Sequence, residues 1–295
     1  MLEIKNLTKT FGGFKALDDL NMTVPQGAVY GLVGPNGAGK TTAIRHITGV
    51  YRPDSGSVTM EGIPVYENNA VKTRIGYIPD DLFFFPSASI EDMRKYYAGL
   101  YPKFDQALFD KVGEAFELPR KSPIRRFSKG MQKQAAFWLT IATRPDFMVL
   151  DEPVDGLDPV MRRQVMSLIL SDVAEYGTTV LVSSHNLREL EDICDHVGIM
   201  HRGKMMLERS LSALQENMVK IQLVTEHPLP PELKVVHQSC VGRVQTIIAR
   251  GSAEEAEAVL GQCHPLLCDV LPLSLEEVFI YELGCVDYEV KNILL

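Results

Sequence analysis

One stretch limits the folds open to this chain more than any other. The apolar run Ala28–Val33 breaks into Gly34-Pro35-Asn36-Gly37-Ala38-Gly39-Lys40-Thr41-Thr42, and helical sequence follows over residues 43–50. Strand, glycine-rich loop and helix in that order are what a phosphate-binding loop requires, and Gly34-x-x-x-x-Gly39-Lys40-Thr41 matches that pattern in full. Glycine at 34, 37 and 39 lets the backbone turn tightly, so that its N–H groups point inward at phosphate oxygens. Pro35, Asn36 and Ala38 complete the loop. Lys40 brings a compact positive charge to the β- and γ-phosphates, and Thr41 offers a hydroxyl to Mg²⁺. Thr42 lies at the start of a helix whose N-terminal dipole favours a bound anion. Alone, the motif specifies a nucleoside triphosphate and nothing finer.

The rest of the chain reads as more strands alternating with helices. Phe147–Leu150 and Thr178–Ser183 are short apolar runs of buried-strand type. Helical spacing covers residues 89–121 with a break at Tyr101-Pro102, then Met131–Thr143, Val160–Glu175 and Leu187–Cys194. Such alternation predicts a largely parallel sheet with helices packed on it. After about residue 214 the pattern shifts to three short strands, a helix at Ala253–Leu260 and a last helical piece at Leu275–Leu283. The expected organisation is a larger domain over 1–215, with a helical portion at about 85–145, and a small α+β appendage over 216–295. Across 295 residues the net charge is −8, which argues against coating nucleic acid, and no nucleic-acid partner is expected. No apolar run approaches the roughly 20 residues that cross a bilayer, and the N-terminus lacks a signal-peptide core. The cysteines form no CxxC pair. A cytoplasmic chain with free thiols is the expectation.

A second group of residues completes the phosphate chemistry. Phe147–Leu150 runs into Asp151-Glu152-Pro153, an apolar strand ending in two acids. A carboxylate at the strand end reaches the Mg²⁺ shell and its neighbour orients the attacking water, which assigns Asp151 to the metal side and Glu152 to the water.

With these residues the chain resembles the ABC-type ATPases. Phe127-Ser128-Lys129-Gly130-Met131 is similar to their signature, Val154–Asp158 to their D-loop, and Ser183-Ser184-His185 to the switch histidine after a strand, all in the family's order. The resemblance covers about residues 1–215. It implies the P-loop ABC fold, with a parallel core sheet, an N-terminal antiparallel β subdomain and a helical subdomain. It also implies ATP and Mg²⁺ as ligands and a head-to-tail dimer, with a second ATPase subunit closing each site. Ser128 and Gly130 would then meet the γ-phosphate across the interface, although Ser128 also reads as a simple helix N-cap. His185 would contact the γ-phosphate, Asp158 would mark the D-loop, and Phe11 would stack on adenine or serve as a strand-end core residue.

Some positions depart from the family pattern. Lys129 and Met131 replace the commonest signature residues, a form similar to a subgroup of exporters. Asp80 stands after Pro79 where glutamine is usual, and is expected to reach the metal with a charge. The aromatic run at Phe83-Phe84-Phe85 matches the face that receives a short helix of the membrane subunit, with a groove expected over Phe83–Tyr97. Ser274–Phe279 resembles the tail of ATPases that serve ABC-2 exporters, including drug exporters. The resemblance therefore implies an ATPase that powers export through a separate polytopic ABC-2-type permease and sits peripherally on the inner face of the cell membrane. A soluble ATPase of the same type with a regulatory role is the alternative. The cargo is not written in this sequence.

Overall fold

A computed structural model describes residues 1–281, apart from 216–217, 226, 262–264, 272, 275 and 278–279. The chain forms two compact units: Met1–Asn186 with Ile193–Glu208, and Leu187–Asp192 with the residues from Arg209 onward.

The first unit opens with a hairpin. β1 (Leu2–Phe11) and β2 (Phe14–Val24) pair antiparallel. They alternate: Leu2, Ile4 and Leu7 of β1 and Leu17, Leu20, Met22 and Val24 of β2 are buried, so one face packs on the core. β4 (Ser55–Met60) and β5 (Ile63–Pro64) extend this sheet in the order β2-β1-β4-β5.

Beneath it lies the six-stranded sheet. β3 (Val29–Val33) leads into α1 (Lys40–Ile47), and α2 (Asn69–Lys72) precedes β6 (Ile75–Ile78). After α3 (Ile90–Leu100), α4 (Gln106–Phe116) and α5 (Lys129–Ile141) come β7 (Phe147–Asp151), α6 (Pro159–Tyr176) and β8 (Thr179–Ser184). Beyond α7 (Arg188–Glu191), which belongs to the second unit, β9 (His196–His201) and β10 (Lys204–Ser210) complete the order β10-β9-β3-β8-β7-β6. The pairs β9·β3, β3·β8, β8·β7 and β7·β6 are all parallel. Every residue of β3, β7 and β8 is buried, as expected of strands covered on both faces.

Helix starts are specified locally. Ser89 and Asp92 form a reciprocal capping box on α3, Asp105 caps α4, and Asp158 with Pro159 at the first turn starts α6. Trp138 of α5 is fully buried, stacks on Phe109 of α4 at 4.7 Å and donates its Nε1–H to the Phe109 carbonyl. Gly113 leaves the space the indole ring fills.

In the second unit α8 (Leu211–Gln215) precedes an antiparallel sheet in the order β12-β13-β11-β14. Its strands are β11 (Met218–Val224), β12 (Lys234–Val241), β13 (Val244–Arg250) and β14 (Leu267–Leu271). The core of this sheet is Val219, Ile221, Leu223, Leu233, Ile247 and Ala249, joined by Ala256 and Leu260 of α9 (Ala253–Leu260). Several tail residues read from sequence (Leu275, Val278, Phe279 and Leu283) lie outside the described residues, as do Cys263 and Cys285. Cys194, Cys240 and Cys268 are free thiols.

Candidate active site

Strand order alone brings the chemistry together. The phosphate loop follows β3, His185 follows β8, Asp151 ends β7 with Glu152 beside it, and Asp80 follows β6. These four parallel strands are successive neighbours, so their C-terminal ends present the loop, the histidine, the acid pair and Asp80 in a row. Loops at this edge of a parallel sheet are where such folds bind ligands.

The phosphate loop is shaped by two left-handed glycines, Gly37 (φ +81°) and Gly39 (φ +104°), the latter preceding α1 directly. A Cβ at Gly34 would overlap the Met200 carbonyl of β9, so the loop lies flush on its neighbouring strand. Ala38 ties the loop down through both its backbone polar groups: its N–H donates to the Pro35 carbonyl and its C=O accepts from Gly203. Lys40 is 6% exposed; its Nζ donates to the Gly34 carbonyl at 2.5 Å and lies 3.5 Å from Glu152 Oε1. The other Glu152 oxygen, Oε2, is 2.9 Å from His185 Nδ1, which donates because a carboxylate can only accept. Lys40, Glu152 and His185 thus form one polar chain. Asp151 is buried, and its Oδ1 accepts from the Ser183 hydroxyl at 2.6 Å. That hydroxyl in turn accepts from the Glu152 N–H at 3.1 Å.

Thr41, exposed in the first turn of α1, and the Asp151 carboxylate supply hard oxygen donors. Among the described residues no three His, Cys, Asp or Glu side chains are arranged to hold a metal by themselves. A hydroxyl and one or two carboxylates, completed by substrate phosphates and water, suit Mg²⁺, which keeps part of its shell outside the protein. Thr42 follows Thr41 in the same turn, its carbonyl accepting from His46 Nδ1. A cleft of about 870 Å³ elsewhere is lined by Arg74, Lys103, Asp105, Arg144 and Asp146 and contains none of these residues.

The remaining sequence-predicted residues stand around this centre. Phe11, at the end of β1, is 43% exposed and makes an edge contact with Tyr51 at 5.5 Å, with Lys9 over its ring. Ser128 caps α5 through the Met131 N–H at 3.3 Å, and Gly130 lies in the first turn of that helix. Asp158 accepts from the N–H groups of Val160 and Met161, which starts α6. Asp80 lies 3.9 Å from the ammonium of Lys133. Phe83 and Phe85 are exposed, while Phe84 between them is buried. The exposed rings continue edge-on from Phe83 through Phe85 to Tyr96. Sequence reasoning did not single out Tyr51, which Arg45 holds by its hydroxyl, nor Ser183 and Lys133 as partners of the acid pair. A hydroxyl two residues before a candidate histidine was the available signal for Ser183.

The family profile described as "ABC transporter" matches residues 17–155. ABC transporter ATP-binding protein YtrB of Bacillus subtilis is 32% identical over 289 residues, spanning 96% of this chain and 98% of that protein. This chain belongs to the ATP-binding subunits of ABC transporters. Bacitracin transport ATP-binding protein BcrA of Bacillus licheniformis is 35% identical over 211 residues, covering 70% of this chain and 69% of that one. A solved ATP-binding subunit of an ABC transporter superposes with a TM-score of 0.68 at 26% identity, over 73% of this chain and 92% of its own. This ABC ATPase therefore binds and hydrolyses ATP and works with the membrane components of a transporter. Among its described residues no helix is long and apolar enough to cross a membrane.

Proposed function

We propose that this ABC ATPase powers export: two ATPase subunits, alike or different, close around MgATP beneath a separate ABC-2-type permease. Convergence of Lys40, Glu152 and His185 at the ends of neighbouring parallel strands carries the reading. The geometry supports the following residue roles. N–H groups of the phosphate loop and the N-terminus of α1 bind the triphosphate, and Lys40 neutralises charge on its outer phosphates. Thr41 and Asp151, with Asp80 at the rim, would hold Mg²⁺, which supplies charge stabilisation to the transferring phosphoryl group when bound. Glu152 orients and polarises water for in-line attack. With Nδ1–H donating to Glu152, His185 donates to a phosphate oxygen through Nε2 only when both ring nitrogens carry protons.

Ser128 and Gly130 have no part in the Lys40–Glu152–His185 chain of their own protomer, which supports a role across a dimer interface. Phe11 presents an exposed ring for adenine. The similarity to the bacitracin transport protein BcrA supports antibiotic-type cargo handling, and the exposed rings of Phe83, Phe85 and Tyr96 suit a membrane subunit's short helix. On this reading the chain is peripheral on the cytoplasmic face through its permease. Affinity purification from detergent-solubilised membranes tests it. Recovery of a polytopic membrane protein in stoichiometric amount is the expected result. Recovery of the ATPase free of any membrane protein would favour the soluble regulatory alternative.

A further inference from the structure

Glu152 adopts φ +47°, a left-handed conformation that disfavours a residue with a side chain by about 1–3 kcal/mol unless its surroundings enforce it. Both faces of its backbone are held. The N–H donates to Ser183 Oγ at 3.1 Å, with the Ser183 carbonyl at 3.2 Å, and the C=O accepts from Lys133 Nζ at 2.9 Å. Lys133 also donates to the Asp155 carbonyl at 2.7 Å and lies 3.9 Å from Asp80 Oδ1. Its three N–H donors thus face two carbonyls and a carboxylate. The side chain is buried on α5, just past the signature. An ammonium in that position is costly unless it is so paired. The turn it grips is weak without it, because its own hydrogen bond, Asp155 N–H to Glu152 C=O, is 3.4 Å long.

We propose that Lys133 is a positioning residue for hydrolysis. By drawing the Glu152 and Asp155 carbonyls onto one ammonium, it fixes the left-handed turn that aims the Glu152 carboxylate at Lys40 and His185. Ser183 secures the same residue from its amide side while orienting Asp151. The proposal rests on Glu152 being the water-orienting group. Release of either hold lets Glu152 relax toward negative φ and swings its carboxylate, and a displacement of about 1 Å at a reacting group lowers turnover on the order of 100-fold.

The test compares the purified full chain with K133M, K133R, S183A and E152Q. It reads kcat, KM for ATP, equilibrium binding of a fluorescent ATP analogue, and thermal melting. K133M and S183A should lower kcat roughly 10- to 100-fold, with nucleotide affinity and melting retained, and K133R should recover most of the loss. Wild-type kcat in K133M, with turnover abolished in E152Q, overturns the role of Lys133 and leaves that of Glu152 standing. Full turnover in E152Q overturns the Glu152 reading itself. Parallel loss of kcat, affinity and melting in K133M assigns Lys133 to the fold alone and overturns the proposal, unless S183A shows the kcat loss by itself with K133R active.

Discussion

Gly198 of β9 offers a sharp test of how the phosphate loop is seated. It pairs with Leu32 of β3, and a Cβ there would overlap the hydroxyl of Tyr30, with Cζ at 2.8 Å and Cε1 at 3.0 Å. Tyr30 is fully buried and its hydroxyl donates to Glu208 Oε1 at 2.8 Å; the same oxygen accepts from the Thr23 N–H. Burial, reinforced by Glu208, pushes the phenol well above its usual pKa, so it remains a donor at every working pH. Gly198→Ala must displace the ring. Overpacking contributes about 1–3 kcal/mol and loss of a hydrogen bond to a charged group about 1.5–3, a destabilisation of ~2.5–6 kcal/mol. For a unit of this size that lowers the melting midpoint by roughly 5–24 °C. Trp138, the single tryptophan, is buried in this unit, so its fluorescence follows the unit's melting directly. Repeating the substitution in a Tyr30→Leu background removes all three close atoms. There Gly198→Ala should change stability by less than about 1 kcal/mol, a non-additivity expected only of side chains in contact. Equal effects in the two backgrounds would refute the argument.

Three further outcomes follow. His46 is buried; desolvation lowers its pKa despite the Nδ1–H bond to the Thr42 carbonyl at 2.8 Å. Because the unfolded chain takes up the proton first, stability is complete above about pH 6.5 and falls as pH drops below it. His46→Leu should flatten thermal melting midpoints between neutral and mildly acidic pH, and an unchanged slope would contradict this. Asp80→Gln removes a carboxylate from the metal rim and should raise the Mg²⁺ concentration needed for half-maximal hydrolysis; an unchanged Mg²⁺ dependence would remove Asp80 from that role. Alanine at Phe83, Phe85 and Tyr96 together should abolish transport by the reconstituted complex and spare basal hydrolysis, whereas unchanged transport would argue against docking there.

The parts legible in the sequence were those with one-dimensional signatures. The phosphate loop, the buried runs of β7 and β8 and the helix over Ala253–Leu260 are each encoded by contiguous residues. β4, β5, β6, β9, β10 and β14 are short or mixed in polarity, and their strand character comes from pairing with distant segments, as β6 does with β7 and β14 with β11. The sequence spacing suggests a helix over Leu187–Cys194, whereas α7 keeps only four residues and the chain enters β9 at His196, paired with Tyr30. At the site, residue types announced Lys40, Asp151, Glu152 and His185. Their mutual distances, and the hold of Ser183 and Lys133 on Glu152, depend on strand order and on a left-handed backbone at a non-glycine residue. Neither has a sequence signal.

Hydrolysis by the purified chain beside Glu152→Gln, with size-exclusion chromatography in the presence of MgATP, tests the central claim most directly. The account predicts turnover by the wild-type chain, and for the variant a loss of turnover with accumulation of an ATP-bound dimer. Continued hydrolysis by the variant, or a variant that neither turns over nor dimerises while still binding ATP, would contradict it.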